Sequence, residues 1–286
     1  MTRLIVVEPG PLTTVQDLGR PGFAHIGVPP SGALDRGALT LANRLVGNGE
    51  RAAGLEITVG GFEARADDDV WFTVTGAWCP IMVDGEPVDP NSAVRAQAGQ
   101  LIRVDAATHG LRAYLAVRGG IDVAPVLGSR SRDVLSELGP GPLMAGDELT
   151  VGEPPRTGVP VLEIAPWGPP TDERVDVPVS LGPRDDWFTD AAVAAFFSTE
   201  WRIDAASNRV GARLAGVPLE RAVDAELPSE GMVAGAIQVP PSGLPTVLLA
   251  DHPVTGGYPV IGVVSRNALD VFAQVRPGQA VSFRRV

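Results

Sequence analysis

Apolar runs in this chain are short and rich in β-branched residues, and each is bounded by glycine, proline or aspartate. They are Leu4–Val7, Val70–Thr75 (VWFTVT), Leu101–Val104 (LIRV), Leu111–Val117 (LRAYLAV), Val161–Ile164, Thr246–Ala250 (TVLLA) and Val260–Val264 (VIGVV). Such runs predict strands. The 34 glycines and 27 prolines are scattered, which suits many short strands joined by tight turns. Three segments share one pattern, a turn opened by glycine and followed by a strand: Ala98–Val104, Ala145–Val151 and Pro277–Phe283. The second of these runs into GEPPRTGVP, residues 152–160, which reads as a linker. Two β-rich domains are therefore expected, at 1–152 and 160–286, with residues 1–50 free to pack on the second domain instead of their own.

Helices are few. Asp35–Val46 carries an apolar stripe of Ala38, Leu39, Leu41, Ala42, Leu45 and Val46, with Asp35 placed to cap its start and Gly47 its end. Asp185–Phe197 and a short Asn267–Gln274 are the other two, the last stopped by Pro277. Short helices among many strands suggest closed or half-closed barrels.

The basic residues exclude several chemistries. All 23 are arginine. Without lysine there is no Walker-type phosphate loop, no Schiff base and no attachment point for a lysine-borne prosthetic group. The net charge is −11, and no basic stripe marks a nucleic-acid surface. The single Cys79 cannot form an internal disulfide, which points to a reducing, cytoplasmic compartment, and its setting in GAWCP reads as a buried small residue. No apolar run approaches the length of a membrane span. His25, His109 and His252 lie far apart in sequence, and a zinc site would need all three to meet, so no metal is expected.

Three clusters are candidates for chemistry. In ADHPVTGGYP a strand delivers Asp251 and His252, and Tyr258 follows a Gly-rich turn. These residues suit proton transfer or amide orientation, although Asp251 and His252 also suit capping the turn and Tyr258 packing beneath it. The second cluster surrounds VPPSG at 28–32 and includes Gln16, Asp17, Arg20, Ser31, Asp35, Arg36 and Asn43. There the two prolines force an extended approach, Ser31 bonds at a turn before the helix, and the helix N-terminus offers an anion site. VPPSG recurs at 239–243, with Ser242 in the place of Ser31. It reads as one rigid turn used twice, with both copies bordering the same cleft. The third cluster is SNRVGARL, where Asn208, Arg209 and Arg213 could bind a carboxylate or phosphate, or pair on the surface with Asp204 or Glu220. Arg118, at a strand end, offers the same choice. GSRSRD, residues 128–133, reads as a solvated loop, and Asp67–Asp69 as an exposed turn.

Together TVQDLGRPGFAHIGVPPSGALDRGALTLANRLVGN, SNRVGARL and ELPSEGMVAGAIQVPPSGLPTVLLADHPVTGGYPVIG resemble the allophanate hydrolase subunit 2 family, also called the 5-oxoprolinase C-subunit family, within the biotin-dependent carboxyltransferase group. The resemblance runs from about Leu4 to the end of the chain. It implies a mainly β fold of two tandem cyclophilin-like β-barrel domains. It also implies a subunit-B-like partner (allophanate hydrolase subunit 1) and a third subunit, the complex hydrolysing 5-oxoproline to glutamate with ATP. On this expectation the chain is inactive alone. Asp251, His252 and Tyr258 are then the catalytic candidates, and Ser31, Asp35, Arg36, Asn208, Arg209, Arg213 and Ser242 bind the small amide substrate. ATP is the implied cofactor, bound on this chain, with the partner or by the partner. Two alternatives remain: the carboxyltransferase component of a urea or amide carboxylase, whose biotin another chain would carry, and a regulatory or binding subunit with no chemistry of its own.

Overall fold

The computed structural model describes residues 2–161, 165 and 168–286. The chain is mainly β, with three short α-helices among the described residues. It divides into two compact units. The first comprises residues up to Arg20, Asp35–Asp133 and Glu137–Pro170; the second comprises Pro21–Leu34, Val134–Ser136 and Thr171–Val286.

In the first unit the strands form two sheets. The six-stranded sheet has the order Glu148–Thr150, Arg3–Pro9, Phe62–Ala66, Leu101–Val104, Ile81–Val83, Glu86–Val88, and the five-stranded sheet the order Leu12–Gln16, Gly54–Thr58, His109–Val117, Val70–Trp78, Val94–Ala96. Strand pairing throughout is antiparallel. Alternate side chains from both sheets, among them Leu4, Val6, Leu55, Ile57, Phe72 and Ile102, meet in one core. Helix α1 (Arg36–Leu45) lies on the five-stranded sheet, where Ala42 and Val46 meet Ala116 and Thr75 Oγ1 donates to Ala38 O at 2.8 Å.

The second unit closes. Its strands follow the order Val175–Leu181, Val260–Val264, Ala236–Gln238, Thr246–Leu248, Gly211–Ala215, Trp201–Ile203, Ala280–Arg285. The last pairs with the first in parallel, Val175 opposite Val281, and removes both sheet edges. Val177, Val179, Ile237, Val247 and Ile261 fill the interior. Helix α2 (Asp190–Ser198) adds Phe196, stacked on Phe283 with ring centroids 4.8 Å apart, and Trp201 Nε1 donates to Phe196 O at 3.0 Å.

Most expected strands are present, with Thr246–Ala250 shortened to Thr246–Leu248. Much of Val161–Ile164 lies outside the described residues. Gly99, Gly146 and Gly278 all take positive φ in the three repeated turns, with open space where a Cβ would stand, so backbone conformation is what requires glycine there. Asp35 caps α1, accepting from Ala38 N at 2.8 Å, and Gly47 follows in the left-handed region. The expected helix over 185–197 is broken. Asp185–Trp187 is a 3-10 turn, Phe188 is extended and bridges to Arg221, and α2 begins only where Thr189 accepts from Ala192 N at 3.1 Å. The third helix likewise divides into a 3-10 turn, Arg266–Ala268, and one α turn, Val271–Gln274.

Two loops differ from expectation for the same reason: their polar groups are satisfied internally. In GSRSRD, Ser129, Ser131 and Asp133 are wholly buried. The Asp17 carboxylate accepts from Gly19 N, Ser129 Oγ, Ser131 Oγ and Arg130 N at 2.6–2.7 Å, replacing the water a solvated loop would need. The 152–160 stretch is pinned by Arg118, whose guanidinium donates to Val46 O and Pro155 O at 2.7 Å and also to Thr157 O. Arg118 is thus a clamp on carbonyls and neither an anion site nor a surface ion pair.

Cys79 is buried as expected, and burial, with the Asp105 charge nearby, pushes its thiol up to about 12. The folded state therefore holds the thiol proton that an unfolded chain releases near pH ~8.5, so this contribution to stability is lost as pH rises above that value. At pH ~8 a thiol reagent should label Cys79 only as fast as the protein unfolds. Rapid labelling of native protein would contradict the buried assignment.

Candidate functional site

The second unit holds a buried ion pair beside an open cavity. Arg209 and Asp251 are both essentially inaccessible. Arg209 Nε donates to Asp251 Oδ2 at 2.8 Å, and Nη2 donates to Asp251 Oδ1 at 3.1 Å and Gly32 O at 2.6 Å. Asp251 also accepts from Ser31 Oγ at 2.6 Å and Val134 N at 3.0 Å. The backbone joins in, with Asp251 N donating to Arg209 O and Ser31 N to Ala250 O. A bidentate fork with further donors on both carboxylate oxygens is the arrangement that offsets the desolvation of buried charge.

These bonds also explain the first VPPSG. Ser31 has φ +53°, unusual for a residue with a Cβ, and Gly32 has φ +94°. Bonds from Ser31 N and Oγ hold the serine in that conformation. In the second copy only Gly243 has positive φ, Gly243 N donates to Pro240 O at 2.9 Å, and Ser242 stays exposed. The repeated pentapeptide is therefore two different turns.

The cavity, about 490 Å³, is lined by Arg213, Gln238, Ser242, Thr246 and Tyr258, with Asp204 and several prolines. Ser242 borders it and Ser31 does not, so the two copies do not share this cleft. Among the described residues no carboxylate pairs with the Arg213 side chain. Gln238, at the end of a barrel strand, is mostly buried, and its Nε2 donates to Met232 Sδ at 3.2 Å and, at a longer 3.4 Å, to Tyr258 O.

The remaining candidates fall elsewhere. His252 is buried, with Nδ1 2.8 Å from Pro253 O, and neither it nor Asp251 lines the cavity. Asn208 is a turn former, its Oδ1 accepting from Val210 N at 2.8 Å. In the first unit Asp35 fills the N-terminus of α1 with its own carboxylate, leaving that end no room for an anion, and Arg36 donates to Leu18 O at 2.9 Å. Asp35 N also donates to Tyr114 Oη at 2.7 Å, and Tyr114 donates to Glu56 Oε2 at 2.9 Å. Burial first, and then the Glu56 and Asp35 charges, raise the Tyr114 phenol well above its ordinary value. Sequence reasoning missed Gln238 and Thr246. Their signal was a polar residue at the end of one short barrel strand, Gln238, and at the start of the next, Thr246, on either side of the second VPPSG. Among the described residues, no group of three or more His, Cys, Asp or Glu side chains is arranged to hold a metal ion, and no helix is long and apolar enough to cross a membrane.

A mainly β chain with a closed barrel agrees with what known proteins show. Residues 26–285 match the family described as carboxyltransferase domain, subdomain A and B, and the chain belongs to that family. It is 39% identical to the 5-oxoprolinase C subunit of Escherichia coli (strain K12), over 98% of this chain and 90% of that one. It is 32% identical to urea amidolyase of Lachancea kluyveri, over 97% of this chain but 16% of that one. The solved urea amidolyase of Kluyveromyces lactis superposes with a TM-score of 0.91 at 30% identity, covering 99% of this chain and 19% of that one.

Replacing Arg209 with Met leaves the Asp251 charge buried without its cation and should cost about 3–5 kcal/mol of stability. Arg209→Lys should not rescue it, since an ammonium cannot fork across the carboxylate and Gly32 O together. Denaturant unfolding of both variants measures this, and unchanged midpoints would show the pair to be dispensable.

Proposed function

We propose that this chain is a subunit of an ATP-dependent 5-oxoprolinase, converting 5-oxoproline, ATP and water to glutamate, ADP and phosphate together with a subunit-B-like partner and a third subunit. The likeness to the E. coli protein and to the 5-oxoprolinase C subunit of Haemophilus influenzae, 34% identical over 96% of this chain, supports the choice of reaction. The geometry contributes one observation above all. A guanidinium with no ion-pair partner among the described residues, Arg213, shares a cavity with neutral groups suited to an amide.

In this reading Arg213 binds the substrate carboxylate, and Gln238, Ser242 and Tyr258 orient the lactam. The lactam is a poor electrophile. Phosphorylation of its oxygen by ATP, with release of ADP, would activate the ring carbon; water adds there, the C–N bond breaks to free the amine and leave an acyl phosphate, and a second water releases phosphate and glutamate. The residues here do not fit ATP itself. The cavity is lined by one guanidinium and one carboxylate, Arg213 and Asp204, and the chain has no lysine, so a triphosphate finds no cationic cradle in it and is assigned to the partner. Arg209 already carries a carboxylate and cannot take the substrate's. Asp251 and His252 act from behind the wall, as positioning residues.

One observation favours a second reading. The superposition on urea amidolyase, and the equal TM-score of 0.91 with urea carboxylase of Kluyveromyces lactis (27% of that chain covered), support a carboxyltransferase component. Its biotin would come on another chain, since this one has no lysine to carry it.

In the reconstituted complex, Arg213→Ala should raise the KM for 5-oxoproline about 10- to 100-fold, as loss of a charge-assisted bond worth about 1.5–3 kcal/mol requires. Thermal stability should be unchanged, because among the described residues this exposed side chain has no ion-pair partner to leave behind. An unaltered KM would remove Arg213 from the site. Absence of glutamate release by the wild-type complex, with carboxyl transfer from free carboxybiotin to urea, would select the second reading.

A further inference from the structure

On the second unit, away from the residues of the cavity, an open groove of about 690 Å³ runs along α2. Leu181, Val193 and Phe197 form its apolar floor, and Asp185, Asp186 and Asp190 stand on its rim with one cation, Arg285. Two features set this groove apart. First, α2 reads DAAVAAFFS and is apolar nearly all round, whereas a surface helix ordinarily keeps a polar outer face. Phe196 is buried in the barrel, but Ala191 and Ala194 are exposed and Val193 and Phe197 only half covered. Second, the rim carboxylates make no ion pair among the described residues, although many exposed carboxylates in this chain do, as Asp67 with Arg3 and Asp122 with Arg130. Asp190, in the first turn of α2, also favours the helix dipole; Asp185 and Asp186 open only a three-residue 3-10 turn, and the Asp186 charge also acts on Arg184, which forms its ion pair with Glu230.

We propose that this groove is a docking surface for a segment of another polypeptide that bears apolar side chains flanked by arginine or lysine. The apolar floor offers burial, and three carboxylates against one guanidinium select a basic segment over an acidic one. A second copy of this chain is the poorer match, since its net charge of −11 repels another copy. The proposal identifies where an assembly contact forms and is independent of which reaction the assembly performs.

The probe is a fluorescein-labelled synthetic amphipathic peptide with leucine and phenylalanine on one face and arginine on the other. Two controls replace its arginines with glutamate, or its apolar residues with serine. Full-length protein should bind the basic apolar peptide at least about tenfold tighter than either control, with affinity falling as salt is raised. Asp185→Asn/Asp186→Asn, which spares the helix cap, should reduce that preference while leaving circular dichroism and Tm unchanged. Val193→Glu should abolish binding. Equal binding of all three peptides, or a preference untouched by the double Asn variant, would overturn the proposal. So would a stable dimer in sedimentation that Val193→Glu dissolves, because the occupant would then be a second copy. Each readout is a binding or mass measurement, so inactivity toward 5-oxoproline would leave this result standing.

Discussion

The Arg209–Asp251 pair is the constraint on which the second unit's polar architecture depends. Removing two charges from water costs several kcal/mol per ion, and mutual attraction recovers this only with good geometry and further hydrogen bonds. Those bonds come from Ser31, Gly32 and Val134, stretches far from residues 209 and 251 in sequence. The same requirement accounts for the left-handed backbone at Ser31, a conformation that costs about 1–2 kcal/mol for a residue with a Cβ and persists only where its surroundings fix it. Charge burial, an unusual turn and the joining of distant segments are thus one phenomenon.

Placement of the cavity follows from the pair. Val210 and Pro253 line it and lie one and two residues from Arg209 and Asp251, so holding the pair fixes that wall. Arg213 lies four residues beyond Arg209, on the strand Gly211–Ala215, and its exposed side chain alternates with buried Ala212 and Leu214. Two arginines of one motif thereby have opposite fates, one neutralised inside and one presented outside. Rigid strands and an internally satisfied network provide the support a binding site needs if its groups are to stay within hydrogen-bonding geometry.

Much of this was legible in the residues. Short β-branched runs, the three Gly-opened turns and the Asp35 cap are governed by local chemistry, and local chemistry can be read from sequence. The site was legible only in part. SNRVGARL and ADHPVTGGYP identify the segments, but whether Arg209 faces solvent or Asp251 depends on pairing between strands, which no spacing rule reveals. GSRSRD reads as solvated because its residues are polar; its burial depends on the Asp17 carboxylate, more than a hundred positions away. The two copies of VPPSG show the limit most clearly, since identical residues take different backbones when one serine meets a buried carboxylate and the other meets solvent.

A crystal structure of the reconstituted complex with 5-oxoproline and a non-hydrolysable ATP analogue tests the central claim most directly. The account predicts the substrate carboxylate on the Arg213 guanidinium, the lactam toward Gln238 and Tyr258, and the Arg209–Asp251 pair intact behind them. A substrate carboxylate bound to Arg209, with Asp251 displaced to act on the ring, would contradict it.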